Sequence, residues 1–114
     1  MRQRLSYGAA LATLAWTMAA QAGTSAPDPA KAQLGSQLYL QMCRQCHGPQ
    51  LQSSGAGSFD LRQFPPDDPQ RFRSSVLHGK NGMPAHDDIL NDDDIDALFA
   101  YVVATQQAQQ ARKP

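Results

Sequence analysis

Two thiols and an imidazole lie within five consecutive residues, Cys43-Arg44-Gln45-Cys46-His47, and these are the only two cysteines of the 114-residue chain. Two cysteines with this spacing can each form a thioether with a vinyl group of a porphyrin, and the histidine that follows can then bind the iron. The pentapeptide is the attachment signature of a c-type haem. It predicts one haem c, bound covalently through Cys43 and Cys46, with Nε2 of His47 as an iron ligand.

Two other uses of a Cys-x-x-Cys pair fit this sequence less well. A zinc site needs a second pair of ligands, and the histidines that remain are His78 and His86. A redox-active dithiol lies between a strand and a helix, a context that this sequence lacks. Haem attachment is therefore preferred, with a thiol-redox or structural module without haem as an alternative.

The sixth position of the iron could be filled by one of four side chains or by none. The four are Met42, Met83, His78 and His86. Met83 is favoured over a purely core-filling role because Gly82 lets the backbone approach closely and Pro84 stiffens the chain. Met42 lies too close to the attachment segment to reach the opposite haem face. A Met/His pair raises the reduction potential of the iron and closes it to external ligands.

The other polar candidates have simpler explanations. His78 lies near the end of a predicted helix, where a partly positive ring suits the helix dipole, and His86 is predicted to be a solvated loop residue. Asp87, Asp88 and the acidic run 92–94 could suggest calcium. They lack the spaced oxygen ligands and the glycine of an EF-hand loop. A helix cap with a solvated face accounts for them.

The elements that must position these residues are helices. No segment shows the strict alternation of a half-buried strand, so the predicted fold class is all-α, with three main helices and long loops. The first helix should begin with Asp28 as N-cap and Pro29 in its first turn, and run towards Met42. Leu34 and Leu38 should face inward, with Tyr39 and Met42 as further candidates for the same face.

Two further helices have clear start signals. One should begin at Asp68 and Pro69 and end at Gly79. The last should have Asn91 as its N-cap, with acidic residues in the first turn and Leu90 packed against the start of the helix. Its apolar stripe consists of Ile95, Leu98, Phe99, Val102 and Val103.

The N-terminus has the pattern of an export signal. Arg2 and Arg4 make a basic start, residues 9–20 are largely apolar, and Ala20-Gln21-Ala22 is a small-x-small cleavage motif. The apolar stretch is shorter than the roughly 20 residues that cross a bilayer, and an uncleaved anchor is the less favoured alternative. Residues 1–22 are therefore predicted to be removed before Gly23 on export to the periplasm.

The mature chain should form one small domain. Residues 23–30 are predicted to be a flexible leader, residues 31–105 the haem domain, and residues 106–114 a polar, glutamine-rich tail. Two loops, 48–67 and 80–90, are long enough to serve a site. A core this small is thin, and a covalent haem would supply the apolar group around which it packs.

Charge restricts the choice of partner. Basic and acidic residues number 10 each, and losing Arg2 and Arg4 leaves a mature net charge near −2. Nucleic acid and anionic lipid both require a basic face. We therefore expect neither as a partner, and no stable membrane insertion after cleavage.

The chain resembles class I cytochromes c over nearly the whole mature domain. The resemblance is carried by residues 35–39, 43–48, 81–85 and 95–102. In that family a glycine of the first helix meets an aromatic residue of the last helix where the two helices cross. The resemblance therefore implies that Gly35 contacts Tyr101, with Tyr39 and Leu98 packed beside them.

A narrower resemblance is to cytochromes c that accept electrons from quinoprotein (PQQ) alcohol dehydrogenases, and to haem domains fused to such enzymes. It is carried by Asp60-Leu61-Arg62 and by residues 76–85. One difference is Phe59, where those cytochromes usually have a proline. The Phe59 carbonyl could still accept a hydrogen bond from Nδ1 of His47. Candidate partners for the haem propionates are Arg62, Arg71 and Arg73, of which Arg62 lies in a family-like context.

These resemblances imply a periplasmic, single-haem electron carrier that is not itself an enzyme. It would carry one electron at a time between a dehydrogenase and a terminal oxidase or another cytochrome. Docking should be weak and transient, and a freely diffusing monomer is expected. The alternative is a five-coordinate c-type haem enzyme or gas sensor, in which Met83 does not bind the iron.

Overall fold

The computed structural model describes residues 25–53, 55 and 57–114. The predicted export signal, residues 1–22, lies outside the described residues. Within the described part, extended pairing is limited to an isolated bridge between Lys80 and Met83, so the all-α prediction is confirmed. No helix of the described part is long and apolar enough to span a membrane.

Four α-helices make up half of the described chain: α1 (Pro29–Leu38), α2 (Arg44–His47), α3 (Pro69–His78) and α4 (Asp92–Ala111). A π-helical segment, Tyr39–Cys43, joins α1 to α2 without a break. Two short 3₁₀ turns, Pro49–Leu51 and Leu61–Gln63, lie in the long connection before α3. The three main helices of the prediction are therefore α1, α3 and α4.

The predicted helix starts are made by side chains that cap free backbone amides. Asp28 and Asp68 each accept a hydrogen bond from an amide in the first turn of α1 and α3. Asn91 and Asp94 form a reciprocal capping box at α4, with hydrogen bonds of 2.9 and 3.1 Å. Each cap contributes about 1 kcal/mol, which is why these starts could be predicted locally.

Helices α1 and α4 cross at the contact that the family resemblance implied. A Cβ atom built on Gly35 would lie 2.9 Å from Cβ of Tyr101. The ring of Tyr39 lies beside that of Tyr101, with centroids 5.0 Å apart, and Leu98 is buried in the same core. The two helices therefore meet through a small residue flanked by aromatic rings.

The inward face of α1 differs from the prediction. Leu34 is 44% exposed, whereas Gly35 and Tyr39 are buried. The close crossing with α4 turns Gly35 towards the core, and its neighbour Leu34 is left at the edge of that face. The prediction for Leu34 rested on its spacing of four positions from Leu38.

The predicted polar tail does not begin at Gln106. Helix α4 continues to Ala111, and Gln106 is only 5% exposed. Its amide donates hydrogen bonds to the carbonyls of Leu61 and Phe64, at 2.8 and 2.9 Å. Composition marked this residue as polar and therefore outside the domain, but an amide can be buried when it satisfies backbone groups.

Candidate functional site

His47 ends α2, and its ring is held by a backbone carbonyl. Nδ1 lies 3.0 Å from the carbonyl oxygen of Phe59. Because a carbonyl oxygen only accepts, Nδ1 carries the proton in this contact, and the lone pair of Nε2 is left for a metal. The structure thus forms the hydrogen bond from Nδ1 of His47 to the Phe59 carbonyl that the sequence analysis considered.

The two cysteines lie three positions apart on the helical backbone that leads to His47, so they share one helix face. Both are free thiols; Cys43 is partly buried and Cys46 is exposed. Burial, and secondly the nearby Cys46, raise the pKa of Cys43 to about 11. Cys43 is therefore a neutral thiol near neutral pH.

Tyr39 secures the chain on the other side of His47. Its side chain is 1% exposed, and its hydroxyl donates a buried hydrogen bond of 2.6 Å to the carbonyl of Gly48. Gly48 has φ 77°, a conformation that favours glycine. Sequence reasoning treated Tyr39 only as a packing residue. This hydrogen bond could have been predicted, because a buried tyrosine usually has a hydrogen-bond partner for its hydroxyl.

Met83 lies half-buried against the hydrophobic core. Its amide and carbonyl form hydrogen bonds with Lys80, at 3.0 and 3.2 Å, and Asn81 adopts φ 55° between them. The Met83 backbone also lies directly against Gly79. A Cβ on Gly79 would lie 2.5 Å from the Met83 carbonyl oxygen, whereas one on Gly82 would meet no atom of the described residues within 4 Å.

The two remaining histidines have different environments. His78 is exposed at the last residue of α3, as expected for a structural residue. His86 is not the solvated loop residue that was predicted. It is partly buried, its amide donates to the Val76 carbonyl at 3.0 Å, and its carbonyl accepts from the amide of Leu90. Its Nδ1 is buried without a hydrogen-bond partner among the described residues.

Arg62, a candidate propionate partner, pairs with its own neighbour. Its guanidinium contacts the Asp60 carboxylate at 2.5 Å, and the same carboxylate accepts from the Arg62 amide at 3.0 Å. The hydrogen bond from the Arg62 side chain is the main reason that the pKa of Asp60 is lowered. These bonds stiffen the turn that follows Phe59.

The other two arginines also have protein partners. Arg73 of α3 bridges to α4, where it contacts Asp92 and lies 2.5 Å from Asp96. The guanidinium of Arg71 lies 5.2 Å from the ring centroid of Phe64. Each of the three arginines is thus engaged within the protein, and Arg73 fastens α3 to α4.

Residues 30–102 match the protein family described as "Cytochrome C oxidase, cbb3-type, subunit III". The chain belongs to this family of c-type cytochromes. The cytochrome is also 36% identical, over 86 residues, to the protein "Quinohemoprotein alcohol dehydrogenase ADH IIB" of Pseudomonas putida. That match covers 73% of the cytochrome but 12% of the relative. No solved structure matches the chain.

Covalently bound haem c is the cofactor of this family, and the donors in the cytochrome suit it. Cys43 and Cys46 are unpaired thiols, and His47 has its Nδ1 engaged and its Nε2 free. No group of three or more His, Cys, Asp or Glu residues in the described part could hold a metal ion by itself. When bound, the haem iron accepts or releases one electron. The family match and this donor set therefore assign a covalent haem c to the cytochrome.

Proposed function

We propose that this chain is an exported, periplasmic, single-haem electron carrier without catalysis of its own. Cys43 and Cys46 hold the haem, and His47 and Met83 are the two axial ligands of its iron. The observation that carries the proposal is the 3.0 Å hydrogen bond between Nδ1 of His47 and the Phe59 carbonyl. It orients the ring next to the thiols and raises the basicity of Nε2, as second-shell acceptors do for metal-bound histidines.

Met83 has the other feature that a carrier needs. Its backbone is held by Lys80 and packed against Gly79, so the thioether is presented from a restrained turn. A thioether ligand favours ferrous iron and leaves no open position for an external molecule. Both effects suit a protein that moves electrons and performs no chemistry on a substrate.

We propose a quinoprotein alcohol dehydrogenase as the electron donor. The proposal is supported by the sequence identity to a quinohemoprotein alcohol dehydrogenase. The acceptor would be a terminal oxidase or another cytochrome, and the family description, which names an oxidase subunit, supports an acceptor on the oxidase side. The carrier would act as a monomer in short-lived encounters with small interfaces.

The site is tested first by spectroscopy of the exported protein. We expect a covalent haem in a pyridine assay, a low-spin ferric spectrum, and the weak near-infrared band of methionine bound to ferric iron. A high-spin ferric spectrum without that band would support the alternative of a five-coordinate haem enzyme or gas sensor. Protein without haem, from a host that has the ligation machinery, would contradict both.

The donor is tested by mixing the oxidised carrier with a purified quinoprotein alcohol dehydrogenase and its alcohol. We expect reduction that requires both enzyme and alcohol and that saturates with carrier concentration. An unrelated c-type cytochrome of similar potential is the control for non-specific reduction. Failure to accept electrons, with the spectrum intact, would contradict the donor and leave the carrier assignment standing.

Export is tested by determining the N-terminus and the location of the haem-loaded protein. Cleavage by a signal peptidase should leave Gly23 as the first residue in a periplasmic fraction. A mature protein that retains residues 1–22 in a membrane fraction would instead support the anchor.

A further inference from the structure

Gln106 is a buried polar side chain far along α4 from the capping box. Its Nε2 donates two hydrogen bonds, to the carbonyls of Leu61 and Phe64. These carbonyls belong to the 3₁₀ turn Leu61–Gln63 and to the residue directly after it. One side chain of α4 therefore holds a short loop segment at two points, more than 40 positions away in the chain.

The same loop segment supplies the acceptor for His47. Phe59 lies two residues before Leu61, and its carbonyl is the oxygen that receives the Nδ1 proton. The Phe59 side chain is 46% exposed, so burial does not anchor this residue. Nor is Phe59 a proline, whose ring would limit φ. The position of its carbonyl must therefore be set by the residues around it.

Three sets of contacts restrain the segment after Phe59. The Asp60 carboxylate caps the Arg62 amide and pairs with its guanidinium, but this is a local contact at the surface and moves with the loop. Leu61 and Phe64 belong to the buried core, and the Phe64 ring packs edge-on against Phe99 of α4, with centroids 6.4 Å apart. Gln106 adds the buried hydrogen bonds that tie the backbone of this segment to the same helix. Buried hydrogen bonds to a rigid helix restrain position more than exposed local ones do, because water does not compete for them.

We propose that Gln106 is a positioning residue for the iron ligand. By holding Leu61 and Phe64, it keeps the Phe59 carbonyl at hydrogen-bond distance from Nδ1 of His47. It thereby maintains the basicity of the ligand and the reduction potential of the haem. The inference rests on the proposed role of His47 as an iron ligand. It assigns a function to the part of α4 whose composition had suggested a tail.

The test compares Gln106→Met with Gln110→Met in the haem-loaded protein. Methionine keeps an unbranched side chain that suits a helix but cannot donate a hydrogen bond. Gln110 is exposed on the same helix, which makes it a matched control. Two readouts report on the ligand itself: the exchange rate of the His47 Nδ1 proton, measured by NMR, and the reduction potential.

In Gln106→Met we expect the His47 Nδ1 proton to exchange faster by about an order of magnitude, since a hydrogen bond that held its acceptor is lost. We also expect a higher reduction potential, because a less basic imidazole stabilises ferric iron less. Gln110→Met should change neither. A Gln106→Met protein that unfolds more easily but keeps the wild-type proton exchange and potential would overturn the proposal, since Gln106 would then be only structural.

If Gln106→Met does not fold, the wild type provides the test through native-state exchange. The side-chain amide protons of Gln106 and the Nδ1 proton of His47 should become exposed with the same dependence on denaturant. Exposure of the Gln106 amide at lower denaturant than the His47 proton would overturn the coupling. A wild type whose His47 proton shows no shift from the iron would instead contradict the proposed ligand, so the two failures are distinguishable.

Discussion

Gly35 of α1 lies directly against the backbone of Ala97 in α4. A Cβ atom at position 35 would lie 1.9 Å from the carbonyl oxygen of Ala97 and 2.5 Å from its carbonyl carbon. Both neighbours are backbone atoms inside a helix, so they cannot rotate away as a side chain could. The crossing therefore requires glycine at position 35. It also sets the position, relative to α4, of the haem-attachment segment that follows α1.

The first prediction is that Gly35→Ala destabilises the folded protein. Alanine improves intrinsic helix propensity by about 1 kcal/mol, but the helices must separate, and overpacking typically costs about 1–3 kcal/mol. We expect a lower free energy of unfolding by urea denaturation of the haem-loaded protein. Gln37→Ala, at an exposed position of α1, should stay within about 0.5 kcal/mol of the wild type. Equal stability of the two variants would contradict the crossing.

The second prediction concerns the Tyr39 hydroxyl. Tyr39→Phe removes the donor to the Gly48 carbonyl and leaves that buried acceptor unpaired, which costs about 1–3 kcal/mol. The measurement is the free energy of unfolding, compared with Tyr101→Phe, which removes a hydroxyl from the other ring of the pair. If Tyr101→Phe proved as destabilising as Tyr39→Phe, the loss could not be assigned to the Gly48 contact.

The third prediction is a decrease in stability at alkaline pH that depends on Tyr39. Burial, followed by the proximity of Tyr101, raises the pKa of Tyr39 well above its ordinary value of 10.0. Above the ordinary pKa, the unfolded state releases the Tyr39 proton while the folded state keeps it. The free energy of unfolding therefore falls as the pH rises. Unfolding free energies measured from neutral pH to beyond about 10 should fall less in Tyr39→Phe than in the wild type. Parallel curves would contradict a buried, protonated hydroxyl.

The fourth prediction is that Met83→Ala leaves the haem attached but gives the iron an open coordination position. The near-infrared band should be lost and the ferrous protein should bind carbon monoxide, because the sixth position becomes free. Met42→Ala is the control, since Met42 also packs against the core but should not contact the iron. An unchanged spectrum and no carbon monoxide binding in Met83→Ala would show that Met83 is not the ligand.

Several features could be predicted because they depend on neighbours in the sequence. The Cys-x-x-Cys-His pentapeptide is a local chemical signature. The N-caps at Asp28, Asp68 and Asn91 bond to amides two or three residues ahead, and the stripe of α4 follows from its periodicity. Spacing and residue type were therefore enough for the helices, the fold class and the cofactor.

The tertiary structure decided which distant groups meet. It placed the Met83 backbone directly against Gly79, and it left Leu34 at the edge of the α1 face. It also partly buried His86, which the sequence analysis had placed in solvent. These outcomes depend on the distances between helices in the folded protein. The residues next to a given position in the sequence contain no information about those distances.

Gln106 is the clearest example of a residue whose role depends on the tertiary structure and not on its sequence context. Its sequence context is a run of polar residues, and from composition it belonged to a tail. In the fold it satisfies two backbone carbonyls of a loop near His47. A glutamine amide is costly to bury alone and stable when its hydrogen bonds are made. The sequence alone determined the haem motif and the helices. The tertiary structure decided the hydrogen-bond partners of Gln106, because those carbonyls come close to its amide only when distant segments pack together.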